Sequence, residues 1–188
     1  MTGWQWLALG IVLLLLFFGL YIRGLAARLD RLHLRVDASA AVLDTRLERR
    51  AALTQEVALQ GSLDPVSAVL LLDAASAAQH SDRSEAARAT AESDLSAALR
   101  AVFDDDESLA ELMDDPDMKM ALEELAEVCV GVALARRFAN DAARAAVAVR
   151  RRGIVRALRL AGHAAWPHSR DLDDAPPDAL SRFALDSA

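Results

Sequence analysis

Eight carboxylates crowd the stretch DDDESLAELMDDPD, residues 104–117: Asp104, Asp105, Asp106, Glu107, Glu111, Asp114, Asp115 and Asp117. Oxygen ligands at this density are what a divalent cation takes, and a bound cation is one route to metal-dependent hydrolysis. The order is not that of an EF-hand, which needs a glycine at a fixed place and a terminal bidentate glutamate. Acids at helix starts are also what the helix dipole favours. A solvated turn is the favoured reading, with a metal-dependent hydrolase on residues 104–117 as the alternative. Arginines crowd a second region: Arg136, Arg137, Arg144, Arg150, Arg151, Arg152, Arg156 and Arg159. A solvated helix face, with cations stabilising the helix C-terminus, is the favoured reading of them, and an acidic partner is the alternative. No aromatic residues interleave with them to stack bases, and a net charge of −7 gives no general attraction for nucleic acid, so none is expected.

Nucleophilic chemistry finds little support. His33, His80, His163 and His168 are scattered, and His33 reads as solvated. No phosphate loop, dinucleotide fingerprint, zinc spacing or G-x-S-x-G motif occurs. The one cysteine, Cys129, sits in the apolar run AEVCVGVAL and reads as a small core residue. It leaves no disulfide within the chain, which suits a cytoplasmic domain. The expectation is a protein that is not an enzyme and needs no cofactor or resident metal.

The elements that must position these groups read as helices. Alanine and leucine dominate, glycine and proline are scarce, and aromatics are 5% of the chain. From Trp4 to Ile22 the only strongly polar side chain is Gln5. A helix over that run is roughly 28 Å long, close to the ~30 Å hydrocarbon core of a bilayer. It lacks the basic start and small-x-small cleavage site of a signal peptide, so it reads as an uncleaved anchor, residues 1–23, meeting lipid through residues 3–22. No basic residue precedes it, whereas Arg23, Arg28, Arg31 and Arg35 follow it. Basic flanks stay cytoplasmic, which predicts an outward N-terminus and a cytoplasmic remainder.

Beyond the anchor, Leu25, Leu29, Leu32, Val36, Leu43 and Leu47 form one helical stripe, so anchor and first cytoplasmic helix are expected to be one rod to about residue 60. GSLDP then punctuates: Gly61 stops, Asp64 caps, Pro65 begins. A second helix is expected from Pro65 to about Val102, frayed or kinked at 79–85, and a third from 117 to about 152. A short basic amphipathic helix, 154–166, is a candidate lipid-surface binder. The polar run PHSRDLDDAPPD is expected to be disordered, within a mostly disordered tail over 164–188, with a turn or two of helix near the end. Three long passes would bring the acidic turn beside the juxtamembrane arginines and carry Arg150–Arg152 to the far tip near Gly61. The fold class is all-α: a transmembrane helix continuing into a long antiparallel bundle of three to four helices, residues 24–163.

Three blocks in order behind such an anchor resemble the LemA family. RVDASAAVLDTRLERRAAL, residues 35–53, is similar to the family's R-V-x-x-A-W-x-x-I-D-V-Q-L-x-R-R-x-x-L through Arg35, Val36, Asp44, Leu47, Arg49, Arg50 and Leu53. AESDLSAAL resembles A-E-x-x-L-S-x-A-L, and ARRFANDAAR, residues 135–144, resembles A-R-x-x-Y-N-D-A-V through Ala135, Arg136, Asn140, Asp141 and Ala142. Ala40, Gln55, Cys129, Val130, Ala139 and Ala146 depart from the pattern. The resemblance implies a bacterial membrane-anchored antiparallel bundle, an architecture with no established reaction. Its blocks supply the candidate partner or structural residues Arg35, Asp44, Arg49, Arg50, Asn140, Asp141 and Arg144. Arg49, Arg50 and Asp141 are expected to pair across the first and third helices. The function expected is a non-enzymatic scaffold, adaptor or regulator of a membrane or cytoplasmic protein, with self-association as a variant.

Overall fold

The computed structural model describes residues 3–80, 84–158 and 166–186, and every regular element among them is α-helical. The helices are α1 (Gly3–Leu59), α2 (Pro65–His80), α3 (Glu85–Phe103), α4 (Asp106–Leu112), α5 (Pro116–Arg150), α6 (Gly153–Ala157) and α7 (Asp178–Asp186). The protein is all-α. Helix α1 runs unbroken for 57 residues, because nothing between its apolar start and Gly61 interrupts the hydrogen-bond ladder. Gly61 ends the helical run at φ 84, a left-handed conformation that a Cβ disfavours. An 18-residue window of α1 reaches a mean hydropathy of 2.3 with none of it buried, and the helix is long and apolar enough to cross a membrane.

The chain divides into two compact units, and the division passes through α1 and α5. One unit, the collar unit, combines Met1–Ala38 with Asp141–His168. Its core is Leu25, Leu29, Val149 and Val155, with Leu32 and Ile154 packed against them. The other, the clasp unit, combines Ser39–Asn140 with Ser169–Ala188. Leu43, Leu47, Leu71, Leu95, Leu99, Leu122 and Leu125 are fully or almost fully buried there, each contributing roughly 1.5–3 kcal/mol by burial. In this unit α1 and α5 run antiparallel. Arg46 lies across Gly131, where an added Cβ would meet its Nη1 at 3.1 Å, and Arg49 pairs with Glu124.

Two expectations about the passes are overturned. The second pass is a hairpin, α2 and α3, and not one helix to Val102. Ser84 caps α3 by accepting from the Ala87 N–H at 3.1 Å, which starts a new helix. The hairpin adds a turn, so every later element reverses direction relative to the three-pass expectation. The acidic turn therefore meets the Gly61 loop, where Ser62 Oγ lies 3.4 Å from Asp115 Oδ2. Val149, next to the arginine cluster, packs on Leu25 and Leu29 just past the apolar run. The second arginine cluster is thus tied to the stretch that follows the apolar run, and the acidic turn to the Gly61 loop, each the reverse of the expected pairing.

The C-terminal expectation is corrected too. Residues 166–177 form no regular element, yet Leu172, Asp174 and Pro177 are buried. The expected helix over 154–166 is seen over Gly153–Ala157, and residues 159–165 lie outside the described residues.

Candidate functional site

The densest polar arrangement in the clasp unit surrounds Arg50, which is 2% exposed. Helix α1 points it at α3, where Nη2 donates to Glu92 Oε2 at 2.8 Å and to the Glu92 carbonyl at 3.1 Å. Nη1 donates to Ser96 Oγ at 2.9 Å. Ser96 in turn donates to the carbonyl of Asp173 at 2.8 Å, so the C-terminal segment packs beside the buried ion pair. A buried guanidinium without these acceptors would carry a large desolvation cost. Glu92 and Ser96 satisfy the two terminal nitrogens, Nε stays enclosed without a partner, and the segment 169–177 reaches the pair through Ser96.

That segment acts as a strap, held at each step. Arg170 exchanges two hydrogen bonds with Asn140: its N–H donates to Oδ1 at 2.8 Å, and its carbonyl accepts from Nδ2 at 3.1 Å. The Arg170 guanidinium donates to Asp44 at 2.6 Å, and Arg88 reaches the same carboxylate at 3.2 Å. Asp173 N–H donates to Ser93 Oγ at 3.0 Å, while Arg100 grips the Asp173 carboxylate at 2.6 Å and the Ala175 carbonyl at 2.8 Å. Hydrogen bonding to Arg100, helped by the Ala175 N–H, holds the Asp173 carboxyl below its ordinary range. Arg136 makes a two-pronged pair with Asp174 at 2.5 and 2.9 Å, and this pair raises the Arg136 pKa. Farther on, Asp104 accepts from the Asp178 N–H at 2.8 Å and Asp106 from Arg182 at 2.7 Å.

The candidate residues from the sequence thus fall into different roles. Asp44, Arg50 and Asn140 hold the strap or its floor. Arg49 faces outward against Glu124, and Asp141 pairs with Arg144 three residues on along α5. The expected pairing of Arg49 and Arg50 with Asp141 is not formed, because α1 turns Arg50 inward to α3. Arg35 is exposed on α1. Sequence reasoning missed Glu92, Ser96, Arg100, Arg170, Asp173 and Asp174. Of these only the Glu92-x-x-x-Ser96 spacing, one face of a helix, carried a local signal.

The acidic turn is put to structural use. Asp105 and Asp115 accept from the N–H groups of Ser108 (2.8 Å) and Asp117 (3.0 Å), and Asp64 accepts from Val66 (2.9 Å) and Ser67 (3.1 Å). These caps line a cleft of about 610 Å³ between α4 and the 62–64 loop with the start of α2. Hydrogen bonds from the Ser67 hydroxyl and N–H lower the Asp64 carboxyl, and the Ser108 N–H and hydroxyl lower Asp105. Among the described residues no group of three His, Cys, Asp or Glu is arranged to hold a metal ion. Cys129 is 1% exposed, and burial pushes its thiol up to about 11. His33, expected to be solvated, is half-buried with its Nε2 enclosed and without a hydrogen-bond partner.

In the collar unit, Arg150 is 6% exposed and its guanidinium stands 4.5 Å from the Trp166 ring centroid. Arg151, Arg152 and Arg156 are exposed, and none has a carboxylate within ion-pair distance among the described residues. Compared with known proteins, the chain matches no family model, no curated protein and no solved structure.

Proposed function

We propose that this chain is a single-pass protein of a bacterial cell membrane, with its N-terminus outside and its helical domain cytoplasmic. In this reading it works as a non-enzymatic scaffold or adaptor for another membrane-associated protein, or for copies of itself, on a LemA-like plan. The single observation that carries it is the continuity of α1, whose bare apolar start runs without a break into a packed helical core. A helix of this kind ties a helical domain to a bilayer through one continuous backbone. The orientation rests on the arginines that follow the apolar run and on their absence before it.

Crosslinking in native membranes followed by mass spectrometry tests the scaffold. The expected outcome is a reproducible membrane-protein partner or a homo-oligomer joined through the helical domain. Recovering neither would overturn it. Protease added outside intact cells should leave residues 24–188 whole, and their digestion would reverse the orientation.

A further inference from the structure

The two units differ sharply in charge. The collar unit holds ten arginines against three aspartates, a net of +7, and the rest of the chain therefore carries −14. Packing concentrates that positive charge near the anchor's end. Leu25 and Leu29 lie about 5 and 10 Å along α1 beyond Ile22. On them sit Val149 and Val155, which bracket Arg151 and Arg152, with Arg156 one residue further. All three guanidiniums are exposed without a carboxylate partner among the described residues, so their charge is directed at something outside the chain. Half-exposed Trp166 stacks on Arg150 in the same unit, the kind of amphipathic ring that settles at headgroup depth.

We infer that Arg151, Arg152 and Arg156 form, with the arginines that follow the anchor, a collar that binds the anionic headgroups of the leaflet from which α1 emerges. A basic side chain near an anionic surface strengthens association roughly fivefold, within a screening distance of about 8 Å at physiological salt. The collar rests on the anchor reading proposed above. It adds a lipid preference that an anchor alone does not require, since hydrocarbon contact is indifferent to headgroup charge.

The test uses the full chain, purified in detergent and titrated with phosphatidylglycerol or phosphatidylcholine of equal acyl length, with bound lipids counted by native mass spectrometry. The wild type should prefer phosphatidylglycerol, and the preference should fall as salt is raised. Arg151→Gln/Arg152→Gln/Arg156→Gln should lower it by at least about tenfold. Arg137→Gln, an exposed arginine of the clasp unit, should leave it unchanged. Circular dichroism of the triple variant confirms that the helices persist. No preference in the wild type, or a triple variant within about twofold of it, overturns the collar. Resistance of the wild type to alkaline extraction from membranes is read separately. If the chain resists extraction but shows no preference, the collar fails alone, and if it is extracted as a soluble protein, anchor and collar fail together.

Discussion

In the clasp unit, charges meet one another; in the collar unit, most of them meet water. The clasp unit carries the large acidic excess, yet its carboxylates at Asp44, Glu92, Asp173 and Asp174 each face an arginine, and those at Asp64, Asp105 and Asp115 terminate helices. The collar unit carries the basic excess with a small apolar core, and among its described residues Arg144 pairs locally with Asp141. Charge that is consumed inside a fold contributes to its architecture. Charge left facing outward is available to a partner.

The contrast is easiest to break at its most buried point. Glu92→Ala strands Arg50 in the interior and should cost about 3–5 kcal/mol, read as a lowered urea midpoint of the full chain in detergent. Replacing both partners, Arg50→Met with Glu92→Leu, should recover most of that loss. A single variant as stable as the wild type would mean that the buried pair does not hold the clasp unit together.

Asp174→Asn removes one prong of a largely buried pair and should cost about 1–3 kcal/mol. It should appear as faster hydrogen exchange across residues 170–176, with residues 25–29 unaffected.

Acid should loosen the same segment. The folded Asp173 carboxyl lies below its unfolded value, so its contribution is present above the unfolded value, near pH 4, and is lost as pH falls through the folded one. Strap exchange should therefore rise below about pH 4, and less steeply in Asp173→Asn, which has no proton left to take up. An equal rise in that variant would place the acid sensitivity elsewhere.

The smallest effect is expected in the collar unit. Arg151→Gln should leave the unfolding free energy within about 0.5 kcal/mol of the wild type, as for an ordinary surface substitution. A clear loss of stability would make that arginine a part of the fold and blur the distinction.

The parts that repeat were legible in the sequence. The stripe from Leu25 to Leu47, the Gly61-Ser-Leu-Asp64-Pro65 stop and start, and the Asp115-Pro116 start of α5 all carry their signal within a few residues. The hairpin break was half visible, since a polar run marked residues 79–85, but whether it ends a helix depends on the Ser84 cap. That one break reversed the placement of the acidic turn and of the second arginine cluster. The strap was illegible for a different reason. PHSRDLDDAPPD has no period because its order is borrowed from Ser93, Ser96, Arg100, Arg136 and Asn140, residues 30 to 80 positions away. Local composition reads such a segment as unstructured, and only the folded neighbourhood supplies its partners.

Residues 169–180 are also made after every helix they fasten. During synthesis the Arg136 guanidinium and the Asn140 amide meet their partners on this segment only after residues 141–168 are laid down. A chain cut short by a stalled ribosome or a nicking protease before residue 169 would leave the Arg50–Glu92 pair open, a mark by which unfinished copies differ from finished ones.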